Sequence, residues 1–190
     1  MSGLKKIEKR KPALEDAILL AIKAHKGQVD KRGEPYILHP LAVMLEGKNE
    51  KERIVGVLHD VLEDTRVTVV RLRMLGYCKE ILDALKILTK RPNEEDDYFS
   101  FIGRIIKSGN ELARVVKIRD IENNTKESRF PQNPSERDFN RRDKYEKALK
   151  LLSGPPEGGQ ELETLKTSDK TSRFWGDEVP DSSGEDGFHN

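Results

Sequence analysis

Cysteine is almost absent: Cys78 is the only one in 190 residues. A single thiol cannot close an intramolecular disulfide, and a zinc site built on several thiolates is excluded. No stretch approaches the roughly 20 consecutive apolar residues that a membrane-spanning helix requires. The first ten residues are basic but lack an apolar segment or a cleavage site, so they do not read as a secretory signal. A large charge of one sign is also missing, since the net charge is +1 although 36% of the residues are charged. The expected setting is cytoplasmic. Any metal site has to be assembled from imidazoles and carboxylates, with four histidines available.

The charge is unevenly spread. Residues 153–190 hold nine acids against three bases, a net of −6 that leaves +7 on residues 1–152. A basic body favours anionic partners such as phosphate esters. The acidic segment opens with Gly154-Pro155-Pro156 and runs on rich in Gly, Pro and Ser. Such a composition buries too little apolar surface to offset the entropy of ordering it. Two regions are therefore expected: a folded domain over 1–152 and a disordered tail over 153–190, with Phe174-Trp175 as the tail's one adhesive point.

Within the domain the apolar residues recur with helical period. Leu14, Ala17, Ile18, Ala21 and Ile22 form one stripe after Pro12, and Pro40 starts a second helix. A third is expected over Glu52–Leu62, then further helices near Val69–Leu75, Ile81–Leu88, Asp97–Ile106 and Glu111–Asn123. The last, Glu136–Leu152, presents Phe139, Tyr145, Ala148, Leu149 and Leu152. No alternating β pattern competes, and the fold class expected is an all-α bundle. Met44 and Met74 fall at apolar positions and read as core, and Cys78 reads as a half-buried side chain with nothing to activate it.

The chemistry concentrates in Leu58-His59-Asp60-Val61-Leu62-Glu63-Asp64-Thr65. In a helix, His59 faces Glu63 and Asp60 faces Asp64 one turn on. Burying such groups unpaired costs several kcal/mol, about 2–7 even for a neutral one, so they call for a metal or a hydrogen-bond network. His39-Pro40, at a helix start, and Asp120, within Val116-Lys117-Ile118-Arg119-Asp120, are further candidates. Read singly, each is also compatible with a packed or surface residue.

As an ordered set, these segments resemble a known family. Ala24-His25-Lys26-Gly27-Gln28, Gly33-Glu34-Pro35-Tyr36-Ile37-Leu38-His39-Pro40, the His59-Asp60 block, Leu88-Thr89-Lys90, and Val116–Asp120 with Asn124 follow one another over residues 10–152. The pattern is similar to the HD-domain hydrolase of the RelA/SpoT alarmone enzymes and their small stand-alone relatives of the metazoan Mesh type. The resemblance implies one divalent ion, usually manganese, held by His39, His59, Asp60 and Asp120. It implies that Glu63 and Asp64 orient and activate the attacking water, and that Lys31, Asn124, Arg141 and Tyr145 contact the substrate. His25 is expected to be structural. The reaction implied is hydrolysis at the ribose 3′ position of a guanosine alarmone with release of pyrophosphate. An NADPH 2′-phosphatase, another nucleotide hydrolase, and a nucleotide-binding sensor without turnover remain alternatives.

The expected partner is thus a phosphorylated nucleotide, with no membrane and no nucleic acid, and self-association is left open. No synthetase segment follows, so the expected activity is hydrolytic only. The chain departs from the family pattern in several places. Asp30 stands where an arginine is common, Arg119 replaces a small residue, Glu122 falls in a neutral or basic stretch, and Thr125-Lys126-Glu127 differs from the usual sequence.

Overall fold

The computed structural model describes residues 11–91, 94, 97–126 and 133–154. The acidic tail lies outside the described residues beyond Gly154, and Phe174-Trp175 with it. The described body contains nine helices: α1 (Leu14–Ala24), α2 (Leu38–Leu45), α3 (Glu50–Leu58), α4 (Val61–Asp64), α5 (Val69–Leu75), α6 (Lys79–Leu88), α7 (Tyr98–Lys107), α8 (Glu111–Thr125) and α9 (Glu136–Ser153). The one β pairing among the described residues is an isolated antiparallel bridge between Val29 and Pro35. The all-α expectation holds. None of the described helices is long and apolar enough to cross a membrane.

Helix starts coincide with side chains that can satisfy unpaired first-turn amides. Asn49, Thr68, Asp97 and Asn110 accept hydrogen bonds from the backbone N–H groups of Glu52, Arg71, Ser100 and Ala113. α5 stops at Gly76, whose φ of +98° is the left-handed conformation that glycine adopts without strain.

α3 is the central element, packed against α1, α2, α6 and α8. Its Ile54, Val55, Val57 and Leu58 are buried, each contributing about 1.5–3 kcal/mol of hydrophobic stabilisation as an upper bound. A Cβ on Gly56 would lie 3.1 Å from the Cα of Met44. The missing side chain therefore allows α2 and α3 to approach backbone to backbone, which draws His39 toward His59.

On the other side, Arg104 of α7 locks the end of α6. Its guanidinium donates to both oxygens of Glu94, at 2.6 and 2.7 Å, and to the carbonyls of Ile87 and Thr89 at 2.9 and 3.0 Å.

Some expectations need correction. The helix expected over Glu52–Leu62 breaks at His59-Asp60 into α3 and α4. His59 Nδ1 donates to the Gly56 carbonyl at 2.7 Å, the acceptor that a continuing helix would offer to the Asp60 amide. Met74 is 63% exposed, as are Phe139 at 54% and Ile22 at 44%. Helical period places them near an apolar stripe, but no element among the described residues covers the outer edge of α5, α9 or α1 at these points. Cys78 is exposed, not half-buried.

Candidate functional site

The ten residues singled out from the sequence line one cavity of about 410 Å³. His39 comes from the first turn of α2, and His59-Asp60 from the break between α3 and α4. Glu63 and Asp64 come from α4, Asp120 and Asn124 from α8, Arg141 and Tyr145 from α9, and Lys31 from the loop before α2.

On the cavity floor the Nε2 atoms of two buried imidazoles meet carboxylate oxygens. His39 Nε2 lies 3.1 Å from Asp120 Oδ1 and 3.7 Å from Asp60 Oδ2. His59 Nε2 lies 2.9 Å from Asp60 Oδ2 and 3.6 Å from Asp120 Oδ1. One ligand atom from each of His39, His59 and Asp120 lies within 4.8 Å of the other two. Asp60 joins this triangle through its contacts with both imidazoles.

The outer nitrogen of each ring is already committed. His59 Nδ1 donates to the Gly56 carbonyl, and His39 Nδ1 donates to Asn123 Oδ1 at 2.8 Å. Both acceptors are oxygens, so each ring in its neutral form carries its proton on Nδ1 and its lone pair on Nε2. Despite its nearness to the carboxylates, His59 Nε2 is buried without a hydrogen-bond partner. A buried nitrogen of this kind facing anionic oxygens fits a cation. A set of nitrogens and oxygens without thiolate suits a divalent ion of the manganese, iron or zinc kind.

The electrostatics favour positive charge at this floor. Burial opposes a charged His59, but Asp60 and Asp120 outweigh it and raise its pKa well above 6.5. Burial also opposes ionisation of Asp120, yet the Lys117 ammonium, 2.7 Å from Oδ2, holds its carboxyl well below the usual range. Lys117 is raised in turn, because Asp120 outweighs its own burial. Asp64 behaves in the opposite sense. Its carboxyl is walled by Tyr36 although the residue as a whole lies at the rim, and burial followed by the charges of Asp60 and Glu63 raises its pKa.

Several residues that bear on the site were not read from the sequence. Tyr36 donates its hydroxyl to Asp60 Oδ2 at 2.6 Å and lies 3.2 Å from Asp64 Oδ2. Lys90 donates its backbone N–H and its ammonium to the two oxygens of Glu63 at 3.0 and 2.9 Å. Lys117 sits over the rings of Phe101 and Tyr98 at 5.1 and 5.9 Å. Asn124, expected from the resemblance to contact the substrate, also donates to Asp120 Oδ1 at 2.7 Å. The signal for Lys117 and Asn123 was present: they flank Asp120 at three residues on either side, on the same helix face. Tyr36 belonged to the quoted block without being assigned a task.

The departures from the family pattern also find places. Asp30 turns its Oδ1 to the backbone amides of Arg32 and Glu34, at 2.8 and 3.1 Å. Its charge thus builds the loop that carries Lys31 and Arg32 to the cavity. Arg119 pairs with Glu52 at 2.7 Å and does not line the cavity. Glu122 is exposed and also lies outside it. His25 is buried, holds Gln28 Oε1 at 2.7 Å, and packs at a tilt against Tyr36 with ring centroids 5.1 Å apart.

No family model matches the chain. It is 33% identical over 120 residues to the bifunctional (p)ppGpp synthase/hydrolase SpoT of Escherichia coli K12, covering 56% of this chain and 16% of that protein. It is 30% identical over 149 residues to the guanosine-3′,5′-bis(diphosphate) 3′-pyrophosphohydrolase of Borreliella burgdorferi, covering 70% of this chain and 21% of that one. The chain thus spans about a fifth or less of the length of these curated relatives. In fold it is similar to the solved structure of a metazoan ortholog of SpoT that hydrolyses ppGpp and plays a role in starvation responses. The TM-score is 0.63 at 17% identity, over 90% of this chain and 99% of that one.

Proposed function

We propose, given that the helical body is homologous to the HD hydrolase domain of the SpoT and RelA proteins, that this chain is a metal-dependent phosphohydrolase removing the 3′-pyrophosphate of a guanosine alarmone. The observation that carries the reading is the meeting of His39 and His59 Nε2 with the Asp60 and Asp120 oxygens beneath a cavity bearing Lys31, Arg32, Lys90 and Arg141. His39, His59, Asp60 and Asp120 would hold the ion, with manganese the choice that the resemblance suggests. A divalent ion bound there supplies a Lewis acid and a water of lowered pKa.

The remaining work falls to side chains. Asp64, its pKa raised, is suited to accept the proton of the attacking water, since a base works best with a pKa nearer the working pH. Tyr36 orients that carboxylate beside Asp60. Glu63 has both oxygens committed to Lys90, and so acts by holding an ammonium at the cavity wall. Lys90, Lys31 and Arg141 neutralise the phosphate oxygens as charge develops. Arg141 is itself steadied by Asp138 at 3.0 Å. Tyr145 and Asn124 complete the wall around the ribose. Attack at phosphorus breaks the bond to the ribose 3′ oxygen and releases pyrophosphate.

The test is a manganese-supplemented assay with guanosine tetraphosphate and NADPH, following pyrophosphate and phosphate separately. Pyrophosphate from the alarmone, abolished by a chelator, is the expected result. Phosphate from NADPH alone would make the chain a 2′-phosphatase. Binding of either nucleotide without product would make it a sensor.

A further inference from the structure

Asn123 stands next to Asn124 in sequence but does a different job. It is 4% exposed, and its side-chain oxygen takes the proton of His39 Nδ1 at 2.8 Å. We propose that Asn123 is a positioning residue that fixes His39 in the Nδ1-protonated tautomer and thereby sets the affinity of the site for a divalent ion. The proposal rests on the metal-centred reading of the cavity floor given above.

The argument is one of proton placement. A neutral imidazole carries one ring proton, and only the nitrogen without it can bind a cation. With an oxygen acceptor on Nδ1, the free lone pair is at Nε2, the atom 3.1 Å from Asp120 Oδ1. Removing that acceptor leaves a buried N–H unsatisfied, which disfavours this tautomer. The opposite tautomer, with its proton on Nε2 facing the carboxylates, then becomes competitive, and that proton occupies the position the ion needs. His59 obtains the same control from the Gly56 carbonyl, which no substitution removes. His39 depends on a side chain.

The placement of Asn123 is rigid. Asp120, Asn123 and Asn124 stand at i, i+3 and i+4 on α8, so one helix face carries a carboxylate of the floor and the acceptor for an imidazole from α2. α8 packs directly on α2. Contacts of this outer kind are worth about 10–100-fold in metal affinity where they have been removed.

The experiment uses the full chain and its Asn123→Leu and Asn123→Asp variants. Manganese binding is measured by calorimetry without nucleotide, and long-range proton–nitrogen NMR on the metal-free proteins reads which His39 nitrogen carries the proton. The expected result is a wild type protonated at Nδ1. Asn123→Leu should bind manganese about 10–100-fold more weakly with a mixed tautomer, and Asn123→Asp, which keeps an oxygen acceptor, should bind at least as tightly as wild type. If Asn123→Leu does not fold, Asn123→Asp and the wild-type tautomer decide, and a tenfold loss in the aspartate variant overturns the proposal. A wild-type His39 protonated at Nε2, or Asn123→Leu with unchanged affinity and tautomer, also overturns it. Those results leave the hydrolase reading standing, whereas a wild type that binds no manganese removes both.

Discussion

Lys117 and Asp120 form a buried ion pair with Nζ 2.7 Å from Oδ2, while the other oxygen of the same carboxylate faces His39 and His59. Asp120 is thus shared between a fixed ammonium and the floor of the cavity. The ammonium is held in place by the faces of Phe101 and Tyr98, which makes it a structural cation beside the position proposed for a metal ion. Replacing Lys117 by Met leaves a carboxylate without its partner, and breaking such a pair costs about 3–5 kcal/mol. Metal-free Lys117→Met is expected to melt well below wild type. Manganese should then raise its melting temperature by more than it raises that of wild type, because the ion replaces the lost charge. Equal shifts by calorimetry would contradict this division of Asp120.

Glu63 and Asp64 are neighbours with unlike surroundings, and their variants should fail differently. Asp64→Asn removes the proposed base and should lower kcat by about 10²–10⁴-fold, the range of a general base, with manganese binding retained. Glu63→Gln loosens Lys90, so the larger change should appear in KM. A Glu63→Gln enzyme whose only defect is a collapse of kcat would reverse the two roles.

Asp60 Oδ2 receives the Tyr36 hydroxyl and approaches both imidazoles. Asp60→Ala should abolish manganese retention after gel filtration and turnover together. Tyr36→Phe should keep the ion but weaken its binding by about tenfold. Titration of manganese into each variant distinguishes the two.

The Glu94–Arg104 clamp lies apart from the cavity and gives a stability signature of its own. Hydrogen bonds from Arg104 hold the Glu94 carboxyl below the usual glutamate range, against the opposing effect of burial. A glutamate in the unfolded chain titrates near about 4.3. The clamp therefore contributes in full above that pH and is lost as pH falls through the lower folded value. Glu94→Gln should be less stable than wild type at pH 7, and the gap should shrink as pH falls below the range in which an unfolded glutamate titrates. A gap that does not change with pH, measured by urea unfolding, would mean that the charge of Glu94 contributes nothing.

Helix positions were largely legible because the apolar period and the punctuating Gly and Pro agree over α5, α6, α7 and α8. The break at His59-Asp60 was not, since nothing in the periodicity shows that an imidazole will take a carbonyl from its own helix. Met74 and Phe139 misled for a related reason: a stripe on one helix says which face is apolar, not how far a neighbour covers it.

The sequence by itself determined an all-α body, the residue types available for a metal centre, and the order of motifs that resembles a hydrolase family. Those properties are local or compositional, fixed by spacing along one chain. Tertiary structure alone decided that Asn123 serves His39 across 84 positions and that Lys90 occupies Glu63. Such pairings depend on how close helices approach, as where Gly56 meets Met44. Distance across a packed core is not written in the spacing of any single segment.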